Sequence, residues 1–146
     1  MKRPALGKPK ARGARNSRRE IRINVARNPR HLEDAGKGDL TWWCCHPGAS
    51  AGDVLVIYKT GAGIQRILEV VRLIADEHGW CGFFGMERAE VRVLRVGAKP
   101  ISIAQLKSNV ILAHTGAVKR SFQGNLFSLK EEELAEIERL LEEAPS

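Results

Sequence analysis

The side chains best equipped for chemistry crowd into Thr41 to Tyr58, TWWCCHPGASAGDVLVIY, where two indoles, two thiols and an imidazole precede a Pro-Gly turn. An indole face stacks on flat heterocycles, a thiolate attacks or ligates, and an imidazole moves protons or binds metal. Two of the chain's three tryptophans are spent here.

Metal binding and nucleophilic catalysis are the sharper readings of this stretch. Structural zinc takes ligands spaced as C-x2-4-C with a second pair further on, and Cys44-Cys45-His46 lacks that spacing. No metal and no cofactor are expected. Cys45 and His46 hold the elements of a thiolate–imidazole pair, but sequence neighbours seldom meet in the needed geometry and no third orienting group is evident. An enzyme acting on nucleotides through Cys45 and His46 therefore stands as an alternative. Consecutive tryptophans on extended chain point to opposite faces, so one ring should pack inward and one should face a pocket, with Trp43 preferred for the pocket.

The surrounding elements must position these groups. Ile21 to Ala26 alternates apolar and polar residues as a half-buried strand does, and Asn28-Pro29 ends it. A short helical turn is expected over Arg30 to Ala35, and Lys37 to Gly52 reads as a site-bearing loop. Val54 to Tyr58 is apolar enough for a strand buried on both faces. Thr60-Gly61-Ala62-Gly63 turns the chain back. Ile64 to Ile74 fits a helical face by period, yet its branched residues and the tight glycine turn before it favour a hairpin strand through about Arg72.

Asp76 to Gly85 reads as a connection and Glu90 to Val96 as a long strand. A short helix near Ile103 to Lys107 and a strand-like Val110 to Ala113 come next. Ser128-Leu129-Lys130-Glu131 has the form of a capping box opening a helix whose apolar stripe is Leu134, Ile137, Leu140 and Leu141.

With 146 residues and 43% apolar content, the chain suffices for one domain with an adequate core. No apolar run approaches the roughly 18 residues of a membrane span, and no secretory h-region opens the chain, so a soluble cytoplasmic protein is expected. Three cysteines, two of them adjacent, give no disulfide framework and suit a reducing compartment.

Positive charge is concentrated at one end. The first 30 residues carry 11 Lys/Arg against the single acid Glu20, whereas the rest of the chain is net acidic. Residues 1–20 hold eight of these cations among Gly, Pro, Ala and Ser, the composition of a disordered basic arm, with the domain proper in 21–146. Lys8, Lys10, Arg12, Arg15, Arg18 and Arg19 are the candidate phosphate contacts, suited to a sequence-independent, salt-dependent attraction to nucleic acid.

The order of motifs resembles the EVE domain family, part of the PUA-like superfamily with the YTH and ASCH domains. The resemblance rests on Ala26-Arg27-Asn28-Pro29 closing the first strand, on Trp42-Trp43, and on Gly52-Asp53 before VLVIY. Gly63-Ile64 leading to Leu68-Glu69-Val70-Val71, and Pro100-Ile101-Ser102-Ile103 running into Leu106-Lys107, continue it. Lys119-Arg120-Ser121-Phe122-Gln123 then precedes Leu129 and the terminal helix, so the series spans about residues 21 to 143. Where the family often ends its first strand in a Lys-Ser-Glu-Pro-like sequence and carries one loop tryptophan, this chain has Ala26-Arg27-Asn28-Pro29 and two.

The resemblance implies an α+β fold, an open β-barrel or curved mixed sheet with flanking short helices and a C-terminal helix. It also implies a concave pocket that accepts a nucleobase, in related domains a modified one. Trp42 or Trp43 would supply the stacking face, Asn24, Arg27 and Asn28 would contact the base edge or phosphate, and Arg120 and Gln123 would approach from the other side. Tyr58 belongs to the same candidate set, with a core role as its competitor. The expected partner is DNA or RNA, carrying a modified base in the preferred reading, with no membrane; a monomer is expected, and whether a nuclease partner exists is left open by the sequence. An RNA-binding accessory factor that ignores base modification is the second alternative.

Overall fold

The computed structural model describes residues 19–124 and 126–143. The chain runs β1 (Ile21–Ala26), α1 (Arg30–Glu33), β2 (Leu40–Cys45), β3 (Val54–Lys59), β4 (Gly63–Leu73), α2 (Trp80–Phe83) and β5 (Glu87–Ile101). Then follow α3 (Ile103–Ser108), a 3-10 turn at Leu112–His114, α4 (Gly116–Lys119), β6 (Leu126–Ser128) and α5 (Glu131–Leu140). The strands form one mixed, unclosed sheet in the order β2-β5-β4-β3-β1-β6, with β1 parallel to β3 and every other pair antiparallel. This is the expected α+β architecture.

Alternation along the central strands divides the core in two. On β3, Val54, Val56 and Tyr58 face one cluster with Ile64, Ile67, Leu134 and Ile137, so the short helices and α5 cover that face. Leu55 and Ile57 face the other cluster with Leu68, Val70, Trp43 and Cys45. Each large side chain so buried contributes about 1.5–3 kcal/mol relative to exposure. VLVIY is therefore buried on both faces, as its composition implies. The ambiguous segment after it is strand through Leu73, paired with β3 across the glycine turn. Gly63 is indispensable there: its φ is +119° and a Cβ would stand 2.1 Å from the Ile101 carbonyl oxygen.

Several expectations need correction. The presumed loop carrying the tryptophans contains an edge strand, β2, antiparallel to β5 with Trp43 opposite Ala89. Strand β5 runs from Glu87 to Ile101, well past the expected ends, and the 76–85 connection holds the helical turn α2. Val110 to Ala113 is not strand, because the Asn109 side chain accepts from the N–H groups of Ile111 and Leu112 and folds the chain into a turn. Ser128 does not cap α5: it ends β6 opposite Arg22, whose guanidinium donates to its hydroxyl at 2.8 Å. The helix starts at Glu131, with Glu133 accepting from the Lys130 N–H, and of its apolar stripe Leu134, Ile137 and Leu141 are buried and Leu140 partly so. Finally, Cys44 is joined to Cys81 in a disulfide, which overturns the expectation of cysteines without a bridge.

Candidate functional site

Strand β1 ends in Asn24 to Ala26 and leads through Arg27-Asn28 into α1. β1 and β2 occupy the fifth and first places of the sheet order, yet both line one cavity of about 860 Å³, so the sheet curls until its two ends approach. The volume lies within the ~300–1,000 Å³ of small-ligand sites. The wall opposite β1 comes from His78, Trp80, Phe84, Met86 and Arg88, on the segment between β4 and β5 and the start of β5.

Of the residues singled out from the sequence, Asn24, Arg27, Asn28, Trp42 and Trp43 are brought together around this cavity. Both tryptophans line it, so the expectation that only one would do so needs revision. Trp43 is 9% exposed and packs with Leu55, Ile57 and Val91, whereas Trp42 is half-buried. Asn24, 5% exposed, brings an amide with both donor and acceptor capacity.

Tyr58, Arg120 and Gln123 are not brought to the cavity. Tyr58 stacks on Phe122 with ring centres 3.7 Å apart, among the residues covered by the helices, and burial pushes its hydroxyl pKa up. Arg120 and Gln123 are exposed at the end of α4. Of the candidate phosphate contacts, Arg19 pairs with Glu131 at 2.8 Å, and Lys8, Lys10, Arg12, Arg15 and Arg18 lie outside the described residues.

His31 meets the free edge of β2. Its ring lies on Trp42, centres 4.4 Å apart and planes 9° apart, and is tilted against Trp43 at 5.4 Å. His31 Nε2 is 2.9 Å from the Trp42 carbonyl oxygen. A carbonyl only accepts, so Nε2 carries the proton and donates.

Arg88 sits diagonally across the β2–β5 pair from Trp42, the spacing at which long side chains meet, and its guanidinium carbon is 4.5 Å from the Trp42 ring centre. Among the described residues, Arg88 Nε and Trp43 Nε1 are buried donors with no acceptor. Such a donor costs about 1–3 kcal/mol while unpaired. No acidic side chain occurs among the fourteen lining residues, although the chain holds 17 Asp and Glu.

Trp80, Phe84 and Arg88 were missed from sequence. The aromatic density of Trp80-Cys81-Gly82-Phe83-Phe84 was the available signal, and the Cys44–Cys81 bond that places it beside Trp42 leaves no trace in spacing. Asp76 shapes the turn by accepting from the N–H groups of Cys81 and Gly82.

The neighbouring cysteine and histidine serve other ends. Cys45 is fully buried, and burial, then Asp53 and Glu87, push its thiol up to about 12, so it is a neutral thiol at ordinary pH and no nucleophile. His46 Nε2 bonds Asp53 Oδ2 at 3.0 Å, with Glu20 Oε1 at 3.7 Å. Ligand atoms of Glu20, His46 and Asp53 lie within 4.8 Å of one another. Asp53 already accepts from the N–H groups of Glu20 and Ser50 as well as from His46, and Glu20 accepts from Arg22, so the trio braces the start of β3.

No family model and no curated protein sequence matches this chain. Solved structures do. A hypothetical protein from Leishmania major has a TM-score of 0.65 at 15% identity, covering 85% of this chain and 95% of its own. Human THYN1, solved in complex with 5-methylcytosine-containing DNA, has a TM-score of 0.61 at 14% identity, covering 86% and 99%. An ASCH protein from Zymomonas mobilis has 0.54 at 17% identity, covering 88% and 100%. The resemblance read from the motif order thus holds at the level of the fold, and the chain has the PUA-like fold of the EVE and ASCH domains.

Proposed function

We propose that this protein binds nucleic acid and holds one nucleobase, in its preferred form a modified one, in the cavity between β1, β2 and the Trp80 segment. The observation that carries the reading is the lining itself: indoles and a guanidinium around about 860 Å³, two buried donors without acceptors among the described residues, and no acid in the lining. A base brings what this lining lacks. Its carbonyl and ring nitrogens accept hydrogen bonds, and its face gains roughly 1–3 kcal/mol on an aromatic ring. The THYN1 complex with 5-methylcytosine-containing DNA supports the same ligand class for a protein of this fold.

An added methyl group contributes on the order of 0.8 kcal/mol when buried. Preference for a modified base must therefore come mainly from fit around Trp42, Trp43, Phe84 and Met86, with Asn24 and Arg88 reading the edge. The basic arm, with Lys8, Lys10, Arg12, Arg15 and Arg18, adds phosphate attraction without sequence information.

The test is an affinity panel of single-stranded DNA and RNA oligonucleotides with plain or methylated cytosine, read by fluorescence anisotropy for wild type and Trp42→Ala. Wild type should prefer one modified strand, and the variant should lose that preference while keeping salt-dependent bulk binding. Equal affinity across the panel would instead favour the accessory factor that ignores modification.

A further inference from the structure

Exposed apolar rings gather at one place beside the cavity. Phe83 is 83% exposed, Trp80 61% and Phe84 60%, three of the large hydrophobic side chains left in solvent, all within five residues. They form one block: Phe84 meets Phe83 edge to face at 5.1 Å and Trp80 at 5.9 Å. The segment that carries the block is tied to β2 by the Cys44–Cys81 bond and across its own turn by Asp76, which accepts from the N–H groups of Cys81 and Gly82.

Trp80 and Phe84 line the cavity, whereas Phe83 is absent from the lining and stands outermost. Exposed aromatic surface tied down beside a ligand site has an unpaired function, because a mobile or merely tolerated ring needs no such tether.

We propose that Phe83, supported by Trp80 and Phe84, is a wedge that enters the base stack of a nucleic-acid duplex at the position vacated by the base held in the cavity. This rests on the base-binding reading above and deepens it. The occupant follows from continuity and charge: the block continues the wall of a cavity lined by Arg27 and Arg88 and by no acid, so an anionic polymer is the partner it faces. Apolar wedges that replace a stacking partner make extrusion of a base from a duplex affordable, whereas a single strand has no such requirement. The wedge therefore acts on duplex binding alone.

The experiment titrates the full chain and its Phe83→Ala variant with a duplex carrying one 2-aminopurine at a mismatch, and with the corresponding single strand. Wild type should raise 2-aminopurine fluorescence in the duplex as the base unstacks. Phe83→Ala should bind the single strand within about twofold of wild type and the duplex about tenfold more weakly, equivalent to ~1.4 kcal/mol, with the fluorescence rise gone. Equal losses on both substrates, or no loss on either, overturn the wedge. A duplex that wild type binds without any fluorescence rise overturns it while leaving base binding intact. Failure of wild type to bind the single strand removes the base-binding reading and the wedge with it. Self-association that disappears in Phe83→Ala with duplex binding unchanged assigns the block to a second copy instead.

Discussion

His31 lies flat on Trp42 and, through the same ring, closes the free edge of β2 by donating from Nε2 to the Trp42 carbonyl at 2.9 Å. One residue thus orients the indole and satisfies an edge acceptor. Replacing it tests whether the cavity wall is preorganised. His31→Ala should lower stability by about 1–2 kcal/mol, the sum expected for one stacked pair and one hydrogen bond. His31→Phe should recover the stacking part. Urea denaturation measures both, and an unchanged midpoint in His31→Ala would show that the stack is incidental.

The disulfide joins residues 37 apart in sequence and ties the Trp80 segment to the tryptophan strand. A closed loop of that length restricts the unfolded chain enough to be worth about 3–4 kcal/mol. Cys81→Ser should therefore lower stability by an amount of that order and weaken oligonucleotide binding more than a surface change of the same size would. Calorimetry and anisotropy on the one variant separate the two effects. Unaltered affinity would mean that the segment keeps its place without the bond.

Cys45 gives a test of the nucleotide-acting alternative. Its thiol is pushed up to about 12 and fully buried, so native protein should leave it unmodified by a thiol reagent at pH 8, and unfolding should expose it. Cys45→Ala should keep oligonucleotide affinity within about twofold, since loss of one buried sulfur is felt mainly in packing. Turnover of a nucleotide substrate that vanishes in Cys45→Ala would restore the enzymatic reading.

Glu136 links α5 to the 109–112 turn, accepting first from Arg139 and then from Asn109. These bonds hold its carboxyl down at about 2 against an ordinary value of 4.5. A depressed carboxylate stabilises the fold fully above its unfolded value and loses that contribution as pH falls through the folded one. Glu136→Gln should accordingly be less stable than wild type at pH 7, with the gap closing between about 4.5 and about 2. Thermal unfolding across that range measures it, and a gap independent of pH would assign the effect to packing.

Much of this architecture could be read from residue pattern, and the failures share a cause. VLVIY and the strand after Gly63 declare themselves because branched apolar runs and a glycine turn act locally. Strand β2 does not, since Trp42-Trp43-Cys44-Cys45 has no apolar–polar alternation and its pairing partner lies more than forty residues on, at Glu87 to Arg92. Ser128 satisfies a capping pattern but is claimed by sheet pairing with Arg22, a contact 106 residues distant. The cavity divides in the same way. Asn24, Arg27 and the tryptophans stood out by type, whereas Trp80 and Arg88 join them only through a disulfide and a strand register.

The central claim is that one base enters beside Trp43 Nε1 and Arg88 Nε, the buried donors that have no acceptor among the described residues. A ¹H–¹⁵N NMR titration of the labelled chain with a short single-stranded oligonucleotide reads them directly. The Trp43 Nε1–H and Arg88 Nε–H resonances should move together and saturate with the bound strand, while residues around Tyr58 and Phe122 stay in place. Saturation with both indole and guanidinium signals unmoved, and with shifts confined to other surfaces, would contradict it.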